Sequence, residues 1–485
     1  MTASARSGVL EDLRAIVGAP HVLDSDEDLL TYGFDGTWYE HRPLAVVMPA
    51  TTAEVSEIHK LASRERLALT PRALGSGLSG GAVPLSGSLV LSITRMNRII
   101  EIDEINHVAV VEPGVINADL QAAVEARGLF YPPDPSSLKQ SALGGNVAEN
   151  AGGARCLKYG VTSDYVQALE IVLPDGAVFR SGGKMVKNVT GYDLRALFTG
   201  SEGTLGTITE ITLRLLPKPK FSRTAFASFA RIDDAAQTVT AVMAAGLIPT
   251  SIELLDNLTM QCVEEFIPAM LPLNADAILL FAVDGNHEAE LDADLAAIQE
   301  IAWRGGATEI RLADTPAASE RLWAARRSIA PALARKRPHR LGEDISIPRS
   351  AIPATIARIR EIAQRWNLLI PVFGHAGDGN LHPNILCDRS DAEEMRRVRE
   401  AAREIFEVAV SLGGTLSGEH GIGLLKKQFM EMDVGPEALR VMRAIKNALD
   451  PLGIMNPGKI FPEPGGVGAF TLPGDGAHGG EVRKT

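Results

Sequence analysis

Glycine gathers into three loop-like clusters in the first half of the chain, and no other feature constrains the fold as tightly. The first, "PRALGSGLSGGAVP", places Gly75, Gly77, Gly80 and Gly81 after an apolar strand candidate, "LALTP". The second, "YPPDPSSLKQSALGGNVAENAGG", interleaves Gly144, Gly145, Gly152 and Gly153 with Ser136, Ser137, Asn146 and Asn150. The third is "NVTGYDLRALFTGSEGTLGTITE". Glycine admits positive φ and lets successive backbone N–H groups converge on an anion, so such loops can cradle a pyrophosphate. Three of them together call for a large, flat, phosphorylated cofactor. The spacing is neither the GxGxxG that opens a helix in nicotinamide-binding units nor the GxxxxGK[ST] phosphate loop, because "VPLSGSLVLSI" reads as turn and strand.

At 485 residues, 45% of them hydrophobic, the chain has room for several cores, and two to four domains are expected. The formal net charge is -12 and the basic residues are scattered, which argues against nucleic acid as a partner. No apolar run reaches the roughly 18 residues of a membrane span, and the start lacks a basic region followed by an apolar core. The expectation is a cytoplasmic, unprocessed protein, reaching the inner membrane only through partners. Cys156, Cys262 and Cys387 lie too far apart for a CxxC pattern, so an iron–sulfur cluster within the chain is not expected.

Short apolar runs alternate with helical stretches up to "GTLGTITEITLRLLPKPK", where Pro217 and Pro219 interrupt the pattern and mark a boundary. Strand and helix then alternate from "RTAFASFA" through "AILLFAVDG" to "ASERLWAARRSIAPALARK", predicting one sheet with helices packed on one face. "SAIPATIARIREIAQRW", "DAEEMRRVREAAREIFEVAVSLGG" and "PEALRVMRAIKNALDP" read as further helices. The Gly- and Pro-rich end, 463–485, reads as a disordered tail.

Eight segments, "PRALGSGLSGGAVP", "PPDPSS", "GGNVAENAGG", "KNVTGYDL", "GSEGTLGTITEITLRLLPKP", "HAGDGNLHP", "SGEHGIG" and "NPGK", occur in the order found in the flavin-linked oxidases of the vanillyl-alcohol oxidase fold. The chain resembles that family from about Tyr32 to Pro462, most nearly its glycolate, D-lactate and D-2-hydroxyglutarate branch. The resemblance implies an α+β chain with a flavin domain of two α/β subdomains and an α+β cap with an antiparallel sheet. The corresponding bounds are 1–217 for the flavin domain, 218–425 for the cap and 426–462 for a return to the flavin domain. It implies that Arg72, Gly75, Ser76, Gly77, Leu78 and Ser79 hold the pyrophosphate of FAD. Asp134, Ser136, Gly144, Asn146, Asn150 and Gly153 would line the rest, with Ile208 near the adenine and Asn456 near the isoalloxazine. Ala73 and Leu74 stand where the family usually has glycine. No histidine lies in these loops, so the FAD is expected to be held without a covalent bond.

In "GHAGDGNLHP", His375 and His382 are seven positions apart and would point to opposite faces of one straight strand. Gly377, Asp378 and Gly379 favour a bend that folds one histidine back toward the other. "SGEHGIG" adds Glu419 and His420, and two histidines with a carboxylate suit zinc or a similar divalent ion with open positions for substrate oxygens. The resemblance assigns His375, His382 and Glu419 to the metal, His420 to the base and Arg326 to the substrate carboxylate. Arg327 would point about 100° away around a helix. The implied reaction oxidises a small (D)-2-hydroxy acid to its 2-oxo acid by hydride transfer to flavin N5. Electrons would pass to a separate acceptor: an iron–sulfur subunit, an electron-transfer flavoprotein or a quinone. The alternative is a non-catalytic flavoprotein subunit of a multi-subunit oxidase, and assembly stays open between a homodimer and a hetero-complex.

Overall fold

The computed structural model describes residues 3–463; beyond residue 463 the expected tail lies outside the described residues. The strand Ala45–Val47 runs into the helix Thr52–Glu65, which returns the chain to the parallel strand Leu69–Arg72. Thr51 caps that helix by accepting from the Glu54 N–H, and Val55, Ile58, Leu61 and Ala62 form its buried stripe. A crossover of this length is what parallel pairing requires. The resulting sheet has four strands in the order Val22–Leu23, Ala45–Val47, Leu89–Ser92, Leu69–Arg72. As the turn-and-strand reading of "VPLSGSLVLSI" requires, a strand follows the first glycine cluster.

A second, antiparallel sheet orders its five strands as Ile99–Asp103, Val108–Val111, Thr207–Arg214, Val166–Val172 and Val178–Gly182. His59, on the helix Thr52–Glu65, ties the two units together. Its Nδ1 lies 2.8 Å from the Leu173 carbonyl and its Nε2 2.9 Å from Thr207 Oγ1. Burial pushes this imidazole down to about 4, so it is neutral where it is packed. The chain returns to the first sheet at its far end: Met455 bridges Leu69 in parallel, and the Asn456 N–H donates to the Leu69 carbonyl at 2.8 Å.

Between these passes lies an antiparallel sheet of eight strands. Seven run in the order Ala307–Leu312, Phe221–Phe229, Ala277–Gly285, Ser251–Asp256, Val372–His375, Asn380–Cys387, His339–Gly342, and Ile345–Ser346 also pairs with Asn380–Cys387. Its helices cover both faces, not one. Ile232–Ala244, Glu288–Arg304, Ile352–Trp366 and Ala392–Ser411 pack with Ala225, Leu254, Leu279 and Phe281. Asn257–Phe266 and Ile329–Lys336 pack with Phe226, Leu255, Leu280 and Phe373 on the other side. The reason is visible in "AILLFAVDG", which is apolar at both alternating sets of positions and so must be covered twice. The stretch read as one helix, "ASERLWAARRSIAPALARK", is two, Pro316–Arg327 and Ile329–Lys336, broken at Ser328. Pro331 explains the break, because it has no N–H to continue the first helix but fits the opening turn of the second.

Candidate active site

On the second face, beside the part covered by the helices, Phe373, His382 and Asn384 line a cavity of about 490 Å³ that the glycine loops also line. The register decides which side chains look out. Val372–His375 and Asn380–Cys387 form a hairpin in which Phe373 faces His382 and His375 faces Asn380. Positions 373, 375, 382 and 384 therefore share a face, so the two histidines become diagonal neighbours with ring centroids 5.3 Å apart. The bend depends on Gly379, at φ +86°, where an added Cβ would stand 2.1 Å from the Ile347 carbonyl.

Glu419 completes the group. Its Oε1 lies 3.4 Å from His375 Nε2 and 3.3 Å from His382 Nε2, and ligand atoms of all three fall within 4.8 Å of one another. Burial disfavours charge on Glu419, yet the two histidines pull its pKa well below the usual carboxylate value. His382 Nδ1 is buried without a hydrogen-bond partner among the described residues, with Asp344 Oδ1 3.8 Å away. Two Nε2 atoms facing one carboxylate oxygen suit a divalent ion with positions left over. Asp344, His382 and His420 form a second such group. Asp344, however, already serves as an acceptor: its Oδ2 receives the Ser417 hydroxyl and the N–H groups of Gly418, Glu419 and His420 at 2.6–3.0 Å, and its Oδ1 receives Asn380 Nδ2 at 2.5 Å. That leaves the first group the better fit.

His420 stacks on His382 with centroids 5.3 Å apart and planes at 11°. Burial lowers its pKa to about 4, and its Nδ1 has no hydrogen-bond partner among the described residues. On its other side, His375 Nδ1 lies 2.7 Å from Oε1 of the fully buried Glu253, whose Oε2 accepts from Arg326 Nε at 2.5 Å. Arg326 is buried against Phe373, while Arg327 is exposed and pairs with Glu320.

The opposite wall is backbone. Arg72, Gly75, Ser76, Gly77, Leu78, Ser136, Gly144, Asn146 and Ile208 line the cavity, as do Ala73 and Leu74. Gly144 permits close packing, since a Cβ there would stand 2.6 Å from Pro113 Cβ. Among the described residues, Asn146 Nδ2 and Glu149 Oε2 on this wall have no hydrogen-bond partner, as a wall awaiting a large polar cofactor would. Five expected residues do not line the cavity. Ser79 accepts the Leu424 and Leu425 N–H groups through its carbonyl, Asp134 holds the Arg155 N–H, and Asn150 ends a helix in the left-handed conformation and accepts from the Ser163 N–H. Gly153 passes so close to Asp134 that a Cβ would stand 2.5 Å from its carbonyl oxygen, and Asn456 Nδ2 donates to the Gly81 and Glu202 carbonyls.

Buried carboxylates at the site escaped the reading of the sequence: Glu202, Glu253, Glu343 and Asp344. A charged residue inside an apolar strand, as in "SIELLD", was the available signal for Glu253. Glu202 clamps the histidine loop to the flavin side by accepting the Ile422 and Gly423 N–H groups, both at 2.7 Å. Gly152 closes the gap between the walls: a Cβ there would stand 2.7 Å from Glu419 Oε2.

Glycine loops facing a polar, titratable sheet across one cavity define a flavoprotein oxidoreductase of the vanillyl-alcohol oxidase fold. The chain belongs to the FAD-linked oxidases: residues 218–460 match the family "FAD linked oxidases, C-terminal domain" and residues 43–182 the family "FAD binding domain". It is 46% identical over 454 residues to glycolate oxidase subunit GlcD of Bacillus subtilis (strain 168), covering 93% of this chain and 96% of that one. It is 35% identical to a D-lactate dehydrogenase of Anaerostipes hadrus, covering 86% and 90%. Among solved structures, substrate-bound p-cresol methylhydroxylase aligns with a TM-score of 0.79 at 20% identity, covering 95% of this chain and 97% of that one, and shares the fold. The protein is thus an FAD-dependent oxidoreductase acting on CH–OH groups. Among the described residues no helix is long and apolar enough to cross a membrane.

Proposed function

We propose that this enzyme oxidises a small (D)-2-hydroxy acid, of the size of glycolate, D-lactate or D-2-hydroxyglutarate, to the 2-oxo acid. The observation that carries the reading is the convergence of His375, His382 and Glu419 on the cavity that the flavin loops also line. The names of the relatives, glycolate oxidase subunit and D-lactate dehydrogenase, support the substrate class. When bound, FAD held without a covalent bond supplies a two-electron acceptor, and a divalent ion, for which zinc fits the ligand set, supplies Lewis acidity.

The chain's own residues do the rest. Glu253 accepts from His375 Nδ1, which fixes the tautomer and turns Nε2 toward Glu419. Asp344 gathers the backbone of Gly418, Glu419 and His420 and so presents carboxylate and imidazole from one loop. His420, neutral near neutral pH, accepts the substrate hydroxyl proton. Electrons then leave to a separate acceptor, an iron–sulfur subunit, an electron-transfer flavoprotein or a quinone, within a hetero-complex of the kind the word "subunit" denotes for the relative.

A panel of 2-hydroxy acids with an artificial dye acceptor, run before and after chelation, tests the reading. At least one acid is expected to bleach the flavin, with turnover lost on chelation and restored by zinc. A flavin that no 2-hydroxy acid bleaches, in protein that binds no metal, would instead mark a non-catalytic subunit.

A further inference from the structure

We infer that one end of the five-stranded antiparallel sheet is the surface on which a different polypeptide docks, an inference that rests on the hetero-complex reading above and gives it a location. Among the described residues, four large apolar side chains are 90% or more exposed: Ile105 at 93%, Val186 at 90%, Val189 at 97% and Tyr192 at 94%. Met185, half-exposed, lies among them. Two of the four belong to "KNVTGYDL", a segment of which no residue lines the cavity.

Apolar side chains scattered singly over a surface need no explanation, but these are gathered. Asp103 pairs with Val108, Val108 with Arg214, Leu213 with Val166, and Ala168 with Gly182. The loops 104–107 and 183–192 therefore leave the same end of the sheet. Lys184 joins them, its Nζ donating to Glu101 Oε1 at 2.6 Å and to Asp103 Oδ2 at 3.1 Å. Both loops are also held from within. Asp103 Oδ1 accepts the Ile105 and Asn106 N–H groups at 3.2 and 2.9 Å, and Asn188 Oδ1 accepts the Thr190 N–H at 3.0 Å. Asp193 then caps the helix Leu194–Phe198. These are braced supports that hold apolar tips in water, which is unfavourable until another surface covers them.

A protein surface fits that role better than a lipid one. Residues 101–105 and 183–192 together carry three acids and two lysines, whereas a patch that binds anionic lipid needs an excess of cations. An apolar centre with an aromatic residue inside a rim of mixed charge is the anatomy of a protein–protein contact. The partner that fits presents an apolar patch of its own, edged by both signs of charge. Its seat is away from the chemistry. Thr207 lines the cavity at one end of the strand Thr207–Arg214, and the apolar patch lies beyond the other end, roughly 24 Å along the strand.

The test places a photo-crosslinking residue, p-benzoylphenylalanine, at Val189 of the FAD-loaded full chain expressed in its own host. The same probe at Trp303, exposed on the helix Glu288–Arg304, is the control. Mass spectrometry should find position 189 joined, in stoichiometric amount, to one polypeptide of different sequence that position 303 does not reach. Val189→Asp combined with Tyr192→Ser should weaken that association by about 10- to 100-fold, the range for truncating central contacts, while flavin content and dye-coupled turnover stay those of wild type. Cross-links only to a second copy of this chain, to residues 464–485 of the same chain or to lipid overturn the inference. A wild-type complex that gives no cross-link from position 189, or that the double variant leaves intact, removes this docking face alone. A wild type isolated from its host as a lone chain removes the hetero-complex reading and this inference with it.

Discussion

The two walls of the cavity are built on different principles. On the flavin side the wall is backbone: Gly75, Gly77, Gly144 and Gly145 bring the chain close because they carry no side chain. On the cap side the wall is side chains, and its residues come from four strands, a helix and two loops. A backbone wall announces itself as local composition. A side-chain wall does not, since Glu253 and His375 are 122 positions apart yet form a 2.7 Å contact. The walls also differ in charge, because the flavin side joins its units through a neutral imidazole, His59, whereas the cap side is held by charged pairs around His375 and Asp344.

If that division is real, damage to one wall should spare the function of the other. The largest effect is expected from His375→Ala or His382→Ala. Either should lose the metal and lower turnover by about 10³-fold or more, since a Lewis acid contributes several kcal/mol, while the flavin spectrum stays that of wild type. Loss of FAD along with the metal would break the comparison. His420→Ala should keep both metal and yellow colour but slow flavin reduction by roughly 10²- to 10⁴-fold.

Acid should act on each side through a buried neutral imidazole. The His59 pKa falls from about 6.5 unfolded to about 4 folded, so the folded state binds fewer protons and stability declines as pH falls from about 6.5 toward 4. The full difference corresponds to about 3 kcal/mol. On the cap side, Glu419 and Asp344 keep their charge at lower pH, because the histidines and donors around them outweigh burial, but the neutral His420, also pushed down to about 4 by burial, responds to acid as His59 does. Hydrogen exchange at pH 5 and pH 7 should therefore show the helix Thr52–Glu65 and the loop of Glu419 and His420 both loosening at the lower pH. Equal protection of both segments at the two pH values would refute this.

Smaller effects sharpen it. Glu253→Gln removes the carboxylate that orients His375 and should weaken metal affinity by about 10- to 100-fold, measured by competition with a chelating dye, with FAD retained. Gly144→Ala should do the converse. Its Cβ would meet Pro113 at 2.6 Å, overpacking costs roughly 1–3 kcal/mol, and the loss should appear in the flavin-to-protein absorbance ratio with metal content unchanged.

Much of the fold class was legible because glycine clusters, alternating apolar runs and long amphipathic helices are local signals. Where reading failed, a local signal was ambiguous. "AILLFAVDG" is apolar at both alternating sets of positions, which calls for cover on both faces of its sheet but does not say which helices supply it. The break at Ser328 hid inside a stretch of good helix formers with one proline. Arg326 illustrates the site: its helix and its charge were readable, but its partner, Glu253, sits on a strand 73 positions earlier.

By itself the amino-acid sequence determined the cofactor class, the glycine loops and the histidines available for chemistry, because each depends on residues adjacent along the chain. Tertiary structure alone decided that His375 and His382 meet at 5.3 Å and that Asp344 organises the loop of Glu419 and His420. The physical reason is strand register. A shift of one residue in the pairing of Val372–His375 with Asn380–Cys387 would turn the histidines to opposite faces, and only long-range packing of both sheet faces fixes that pairing.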